Sequence, residues 1–129
     1  MSQLKIAVRE DHTQFLPGDE IIAAAYWNLD GPPKSVEARL FWFTRGKGTQ
    51  DVNVVETFRF DHPLVEEARP VRFRLPEAPY SFSGKLVSLI WALELVVEPG
   101  SESARIELTV SPTGEEINLD RPSVSANPP

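Results

Sequence analysis

Leu86-Val87-Ser88-Leu89-Ile90-Trp91-Ala92-Leu93-Glu94-Leu95-Val96-Val97 is a long apolar run that admits two periodicities. Leu86, Leu89, Ile90, Leu93 and Val97 fit the spacing of one helix face, whereas Val87, Leu89, Trp91, Leu93, Leu95 and Val97 form an unbroken alternate series. Gly84 before the run and Pro99-Gly100 after it leave room for a longer strand or a three-turn helix. The unbroken alternation favours the strand, and the rest of the chain supports that choice.

Upstream, Leu4, Ile6 and Val8 alternate with Lys5, Ala7 and Arg9, the pattern of a half-buried strand. After the Pro17-Gly18 turn, Ile21, Ala23, Ala25, Trp27 and Leu29 share one face until Asp30-Gly31-Pro32-Pro33 stops the run. From Ser35 to Thr44, Val36, Ala38, Leu40 and Trp42 oppose Glu37 and Arg39. Phe41 and Phe43 make the far end of that strand apolar on both sides, so this end should be covered twice. Arg45-Gly46-Lys47-Gly48 reads as a flexible cationic turn into Val52, Val54, Phe58 and Phe60, which predicts a hairpin. Val71, Phe73 and Leu75 make a short strand ending at Pro76, and Ile106, Leu108 and Val110 make a seventh. Seven strands separated by turn signals predict an all-β fold, a two-sheet antiparallel β-sandwich.

A chain of 129 residues has the size of one domain. The sandwich is expected over residues 1–111, and residues 112–129, polar with scattered proline, are expected as a mobile tail. There is no cysteine, hence neither a disulfide framework nor a thiolate metal site. The first residues lack the apolar core of a signal peptide, and no window approaches the ~20 apolar residues of a membrane span. A cytoplasmic location without stable membrane insertion is the simplest expectation. The net charge of −6 opposes nonspecific binding to phosphate backbones, so no nucleic-acid partner is expected.

Three landmarks then carry a resemblance. Phe15-Leu16-Pro17-Gly18-Asp19 before an alternating strand, then Phe73-Arg74-Leu75-Pro76, then Pro79-Tyr80-Ser81-Phe82-Ser83-Gly84 before a strand with Ile90-Trp91-Ala92, resemble the arrestin-like domain family. That family includes the arrestins and bacterial sporulation-control proteins, and the match runs from about Leu4 to Val110. The resemblance implies an immunoglobulin-like sandwich, and a non-enzymatic scaffold or adaptor that recognises proteins through loops and strand edges. Arrestins normally carry two sandwiches in tandem, whereas this chain has room for one. The tail motif of two prolines, any residue and tyrosine is missing, since Pro32-Pro33 is followed by Lys34-Ser35.

The residues offer little for chemistry. His12 and His62, each after an aspartate, would make a metal pair only if both loops met at one end of the sandwich. No helical or hairpin spacing brings them together, so neither metal nor other cofactor is expected. Ser81 and Ser83 lack the Gly-x-Ser-x-Gly elbow and read as turn residues. Trp27, Trp42 and Trp91 lie on the apolar faces of their strands, which favours core packing over a carbohydrate-binding platform, the rival reading. Arg39, Arg59, Arg72 and Arg74 lie on polar faces and would form a positive stripe if the third to fifth predicted strands were neighbours in one sheet. The expected partner is a protein, with Arg45, Lys47, Arg72 and Arg74 as weak candidates for contacting it. Free sheet edges would also allow self-association.

Overall fold

Burial alternates along the chain as the period of two requires. Ile21, Ala23, Ala25 and Trp27 are buried while Ile22, Ala24 and Tyr26 are not, and the same rhythm marks Val36, Ala38 and Leu40. The structure, a computed structural model, describes residues 2–46, 50–100 and 102–119. Its strands are β1 (Gln3–Val8), β2 (Gln14–Phe15), β3 (Glu20–Asn28), β4 (Ser35–Gly46), β5 (Val52–Arg59), β6 (Glu66–Arg74), β7 (Phe82–Ser83), β8 (Val87–Glu98), β9 (Glu102–Val110) and β10 (Ile117–Asn118). No α-helix occurs among the described residues, and the apolar run from Leu86 is the strand β8.

Two sheets face each other. The smaller has the order β1-β3-β6 and the larger β10-β7-β8-β4-β5, with β9 also on β8 and β2 on β9. The long pairs are antiparallel; the two-residue pairs β2–β9 and β10–β7 are parallel. Between the sheets Trp27, Trp91, Phe73, Leu40, Leu93 and Leu95 are wholly buried. Burying an aliphatic or aromatic side chain of this kind contributes on the order of 1.5–3 kcal/mol. Both enclosed indoles are satisfied: Trp27 Nε1 donates to the Leu64 carbonyl at 2.8 Å and Trp91 Nε1 to the Pro79 carbonyl at 2.9 Å.

Ten strands are found among the described residues where seven were expected, because β2, β7 and β10 have two residues each, too few to show a period. The fifth predicted strand begins at Glu66 and not near Val71. Pro70 interrupts the apolar pattern there, and an edge strand tolerates it because one side of its backbone needs no donor. β6 pairs with β3, from Phe73 opposite Ile21 to Glu66 opposite Asn28, so it lies in the other sheet from β4 and β5. The expected stripe of four arginines is therefore split, with Arg39 and Arg59 on the larger sheet and Arg72 and Arg74 on the smaller. The segment expected as a tail is placed as far as Leu119, since Ile117 and Leu119 donate backbone bonds to the Ser81 and Ser83 carbonyls at 3.3 and 2.8 Å. Residues 120–129 lie outside the described residues.

The three landmarks are structural joints. Gly18 has φ of +82°, open to glycine at little cost, and lets the Leu16 N–H reach the Asp19 carboxylate at 2.9 Å. The Asp19 carbonyl then accepts from Leu75 N–H at 2.8 Å, which ties the first landmark to the second. Ser81, in the third, is buried and bonded at both its backbone and its hydroxyl to Val110.

Candidate interaction surface

β4 cannot hide both of its faces in one core. Val36, Ala38, Leu40 and Trp42 point between the sheets, so Phe41 and Phe43 must emerge on the outer face of the larger sheet. They form a second apolar cluster there with Ile90 and Ala92, their partners across the ladder to β8. This is the double covering expected from the sequence. What covers the outer side is arginine: the Arg105 guanidinium carbon lies 5.0 Å from the Phe41 ring centre and 5.2 Å from that of Phe43, and Arg45 lies 5.5 Å from Phe43. The guanidiniums themselves lie over the rings on this side, and both side chains stay partly in water. Each cation–π contact at such an exposed site is worth about 0.5–1 kcal/mol.

Carboxylates hold these guanidiniums in place. Arg105 Nη2 is 3.0 Å from Glu94 Oε2, Arg45 Nη2 is 3.4 Å from Glu107 Oε2, and Arg39 Nη2 is 3.1 Å from Glu37 Oε2. Exposed pairs of this sort contribute about 0–1 kcal/mol each, so they orient more than they stabilise. Beside the rings, Val52 and Val54 of β5 pair with Phe43 and Phe41 and extend the apolar strip to the rim. The resulting depression has a volume of about 370 Å³ between Arg39, Arg105, the two phenyl rings and the two valines.

β5 bounds this strip as the last strand of the larger sheet, and all eight of its residues are exposed. Val52 is 64% exposed, Val54 48% and Phe58 42%, large values for apolar side chains on a strand. A bulge between Leu40 and Phe41 divides the strand into two halves. Val52 and Val54 lie with the outer face, whereas Glu56 and Phe58 pair with Leu40 and Ala38 and lie with the inner face. A bulge and an inward carboxylate are common protections of a free edge, so only the Val52–Val54 half offers a regular ladder to another strand.

The candidate residues do not form one patch. Arg45 stands at the end of β4 on this surface, and Lys47 lies outside the described residues. Arg72 and Arg74 are on the outer face of the other sheet, 3.9 and 4.0 Å from the Glu20 carboxylate, and Arg74 Nη1 also donates to the Gly18 carbonyl at 3.0 Å. The histidines are at opposite ends of the sandwich. His12 follows β1, whose last residue is opposite Ala23, and packs edge-on against Phe15 at 5.0 Å. His62 sits between the end of β5, opposite Glu37, and the start of β6, opposite Asn28. Among the described residues no group of three or more His, Cys, Asp or Glu is placed to hold a metal ion. The Phe41–Phe43 strip was missed as a site by sequence reasoning, although its signal, a strand apolar on both faces, was present.

No family model matches the chain, and no curated protein matches it. Among solved structures, the sporulation control protein Spo0M from Bacillus subtilis superimposes with a TM-score of 0.60 at 17% identity, over 85% of this chain and 49% of that one. The chain thus spans about half the length of Spo0M. β-Glucosidase from Listeria innocua, in complexes with isofagomine and with gluconolactone, gives TM-scores of 0.46 and 0.45 at 10% and 9% identity. Those two matches cover 91% and 90% of this chain and 16% of the enzyme in each case. The joints at Asp19, Leu75 and Ser81 and the likeness to Spo0M lead to the same statement: this chain folds as an arrestin-like β-sandwich.

Proposed function

We propose that this chain is a non-enzymatic, cytoplasmic interaction module, a scaffold or adaptor that holds an extended segment of a protein partner against the Val52–Val54 half of β5. The observation that carries this reading is the exposure of every β5 residue at a sheet edge, beside an apolar strip already formed by Phe41 and Phe43. An added strand would gain main-chain hydrogen bonds from the edge and lay alternate side chains beside Val52, Val54 and the two rings. Arg39, Arg45, Arg59 and Arg105 border the strip with three carboxylates on the same face, Glu37, Glu94 and Glu107, and the surplus of one cation favours an acidic side chain in the partner. The regulatory likeness to Spo0M supports a binding role at the coarse level of fold alone. A carbohydrate module is the weaker reading, since Trp27 and Trp91 are fully enclosed and cannot serve as stacking platforms.

The test pairs capture from the native cell with hydrogen exchange on the purified complex. Wild-type chain should retain one specific partner and gain amide protection in β5, and Val54→Lys should lose both while keeping its melting temperature. Retained capture by Val54→Lys, or protection confined to other elements, refutes the docking site.

A further inference from the structure

The hydrogen bonds between β4 and β5 fix which backbone groups the edge of β5 has to offer. The Thr44 N–H donates to the Asp51 carbonyl at 2.9 Å, and the two residues continue the register of Phe43 opposite Val52, so they form a hydrogen-bonded pair. Bonded and non-bonded pairs alternate along an antiparallel ladder. Trp42 with Asn53 is therefore bonded, whereas Phe43 with Val52 and Phe41 with Val54 are not. The N–H and C=O groups of Val52 and Val54 thus point away from β4. At the other end the Phe60 N–H donates to the Val36 carbonyl at 3.0 Å, and the same alternation turns the backbone of Thr57 and Arg59 outward. The bulge inserts Val55 between these two outward-facing sets and breaks their rhythm.

Charge is unequal along this edge. Towards Val52, Arg45 and Arg105 are each held by a carboxylate of their own, Glu107 and Glu94. Towards Thr57, Arg39 holds Glu37 at 3.1 Å, and Arg59, opposite Glu37 in the ladder, makes no ion pair among the described residues. Arg39 and Arg59 share the outer face with Val52 and Val54, so the surplus cation lies in line with the apolar strip, just beyond Val54.

Resting on the docking proposed above, we infer that the partner segment is an acidic strand held in one register. Two apolar residues, separated by one residue, lie opposite Val52 and Val54, and a carboxylate two positions further on lies between Arg39 and Arg59. Residues paired with Val52 and Val54 share their face, so the two apolar side chains extend the strip, while the residue between them falls on the side of Asn53 and is free to be polar. A slip of one residue would turn the apolar pair and the carboxylate to that other side. Arg59 is then the residue that selects acid.

The probe is the capped peptide Glu-Thr-Val-Thr-Val-Thr-Glu, which places a carboxylate at the Arg59 end in either strand direction, compared with the same peptide ending in Lys at both sides. In magnetic resonance titrations of the isotope-labelled full chain, the Val52 and Val54 amides should exchange quickly without peptide and gain protection with it. The Asn53 amide, already bonded to Trp42, should exchange slowly throughout. At low salt the Lys-ended peptide should bind about tenfold more weakly. Arg59→Gln should narrow that gap and Arg59→Glu should invert it, with tryptophan emission unchanged in both variants. Equal binding of the two peptides to the wild type, or protection gained at Asn53 in place of Val52 and Val54, overturns the register and the acid preference while β5 remains the docking strand. Perturbation confined to other strands, or none at millimolar peptide, overturns the docking and the inference together. Slow exchange of Val52 and Val54 before peptide is added also overturns the inference, because a second copy or another part of the chain then already occupies the edge.

Discussion

At the scale of single residues, the polar groups inside this sandwich serve its joints. Ser81 is 1% exposed, and its hydroxyl accepts the Val110 N–H at 2.9 Å. Replacing Ser81 by Ala strands that buried amide and is expected to cost about 1–3 kcal/mol, read as a lower urea midpoint with unchanged slope. The residue that looked like a candidate nucleophile by type is spent on backbone, and its serine-rich turn was legible while its partner on β9 was not. Tyr26 offers a titration. Its hydroxyl donates to Glu66, and losing that hydrogen bond beside a carboxylate holds the phenol proton above its ordinary value of 10.0. A raised value means that the folded chain binds the proton more tightly than the unfolded one. The associated stability is fully present below pH 10.0 and is lost as pH rises through the raised value. In a Tyr80→Phe background, ultraviolet absorption should show the remaining tyrosine ionising above pH 10.0, and Glu66→Gln should bring that midpoint down.

At the scale of elements, what the sequence revealed followed the length of each strand. β3, β4 and β8 have 9, 12 and 12 residues, enough for alternation to separate faces, and Trp91 and Leu93 settle β8 because a helix would not bury both with Leu95 and Val97. β7 and β10 were unreadable because they exist only through bonds to distant backbone. The start of β6 was hidden by Pro70, whose tolerance depends on a sheet order that no local pattern encodes. The apolar half of the candidate site was visible in Phe41 and Phe43, whereas the arginines that lie over them come partly from β9, some sixty residues onward, and only the fold unites them. Placing every tryptophan on the core side of its strand has a spectroscopic consequence. Trp27 and Trp91 are fully buried and Trp42 is half-buried, so emission should be blue-shifted and iodide quenching confined to a minor component. Trp42→Phe should remove that component. Ready quenching of the other two, relieved by an oligosaccharide, would instead support a sugar site.

At the scale of the whole molecule, strands distant in sequence close the sandwich. β2 lies on β9, the Ser111 N–H donates to the Phe15 carbonyl at 3.1 Å, and β10 lies on β7. The first landmark is thereby joined to the end of β9, and the third is held between β9 and β10. A test of whether partner recognition resides in the sandwich must therefore cut after Leu119, where β10 is retained, and not after Ser111. Cutting after Ser111 removes the two backbone bonds to Ser81 and Ser83 and uncovers the edge of β7. At about 0.5–1.5 kcal/mol net for each bond, the shorter chain is expected to be about 1–3 kcal/mol less stable than the one ending at Leu119. Urea unfolding of the two chains side by side measures this directly, with a displaced midpoint at similar slope as the expected result. Equal midpoints would mean that β10 rests on the sandwich without supporting it, and that the chain beyond Val110 behaves as the tail its composition predicted.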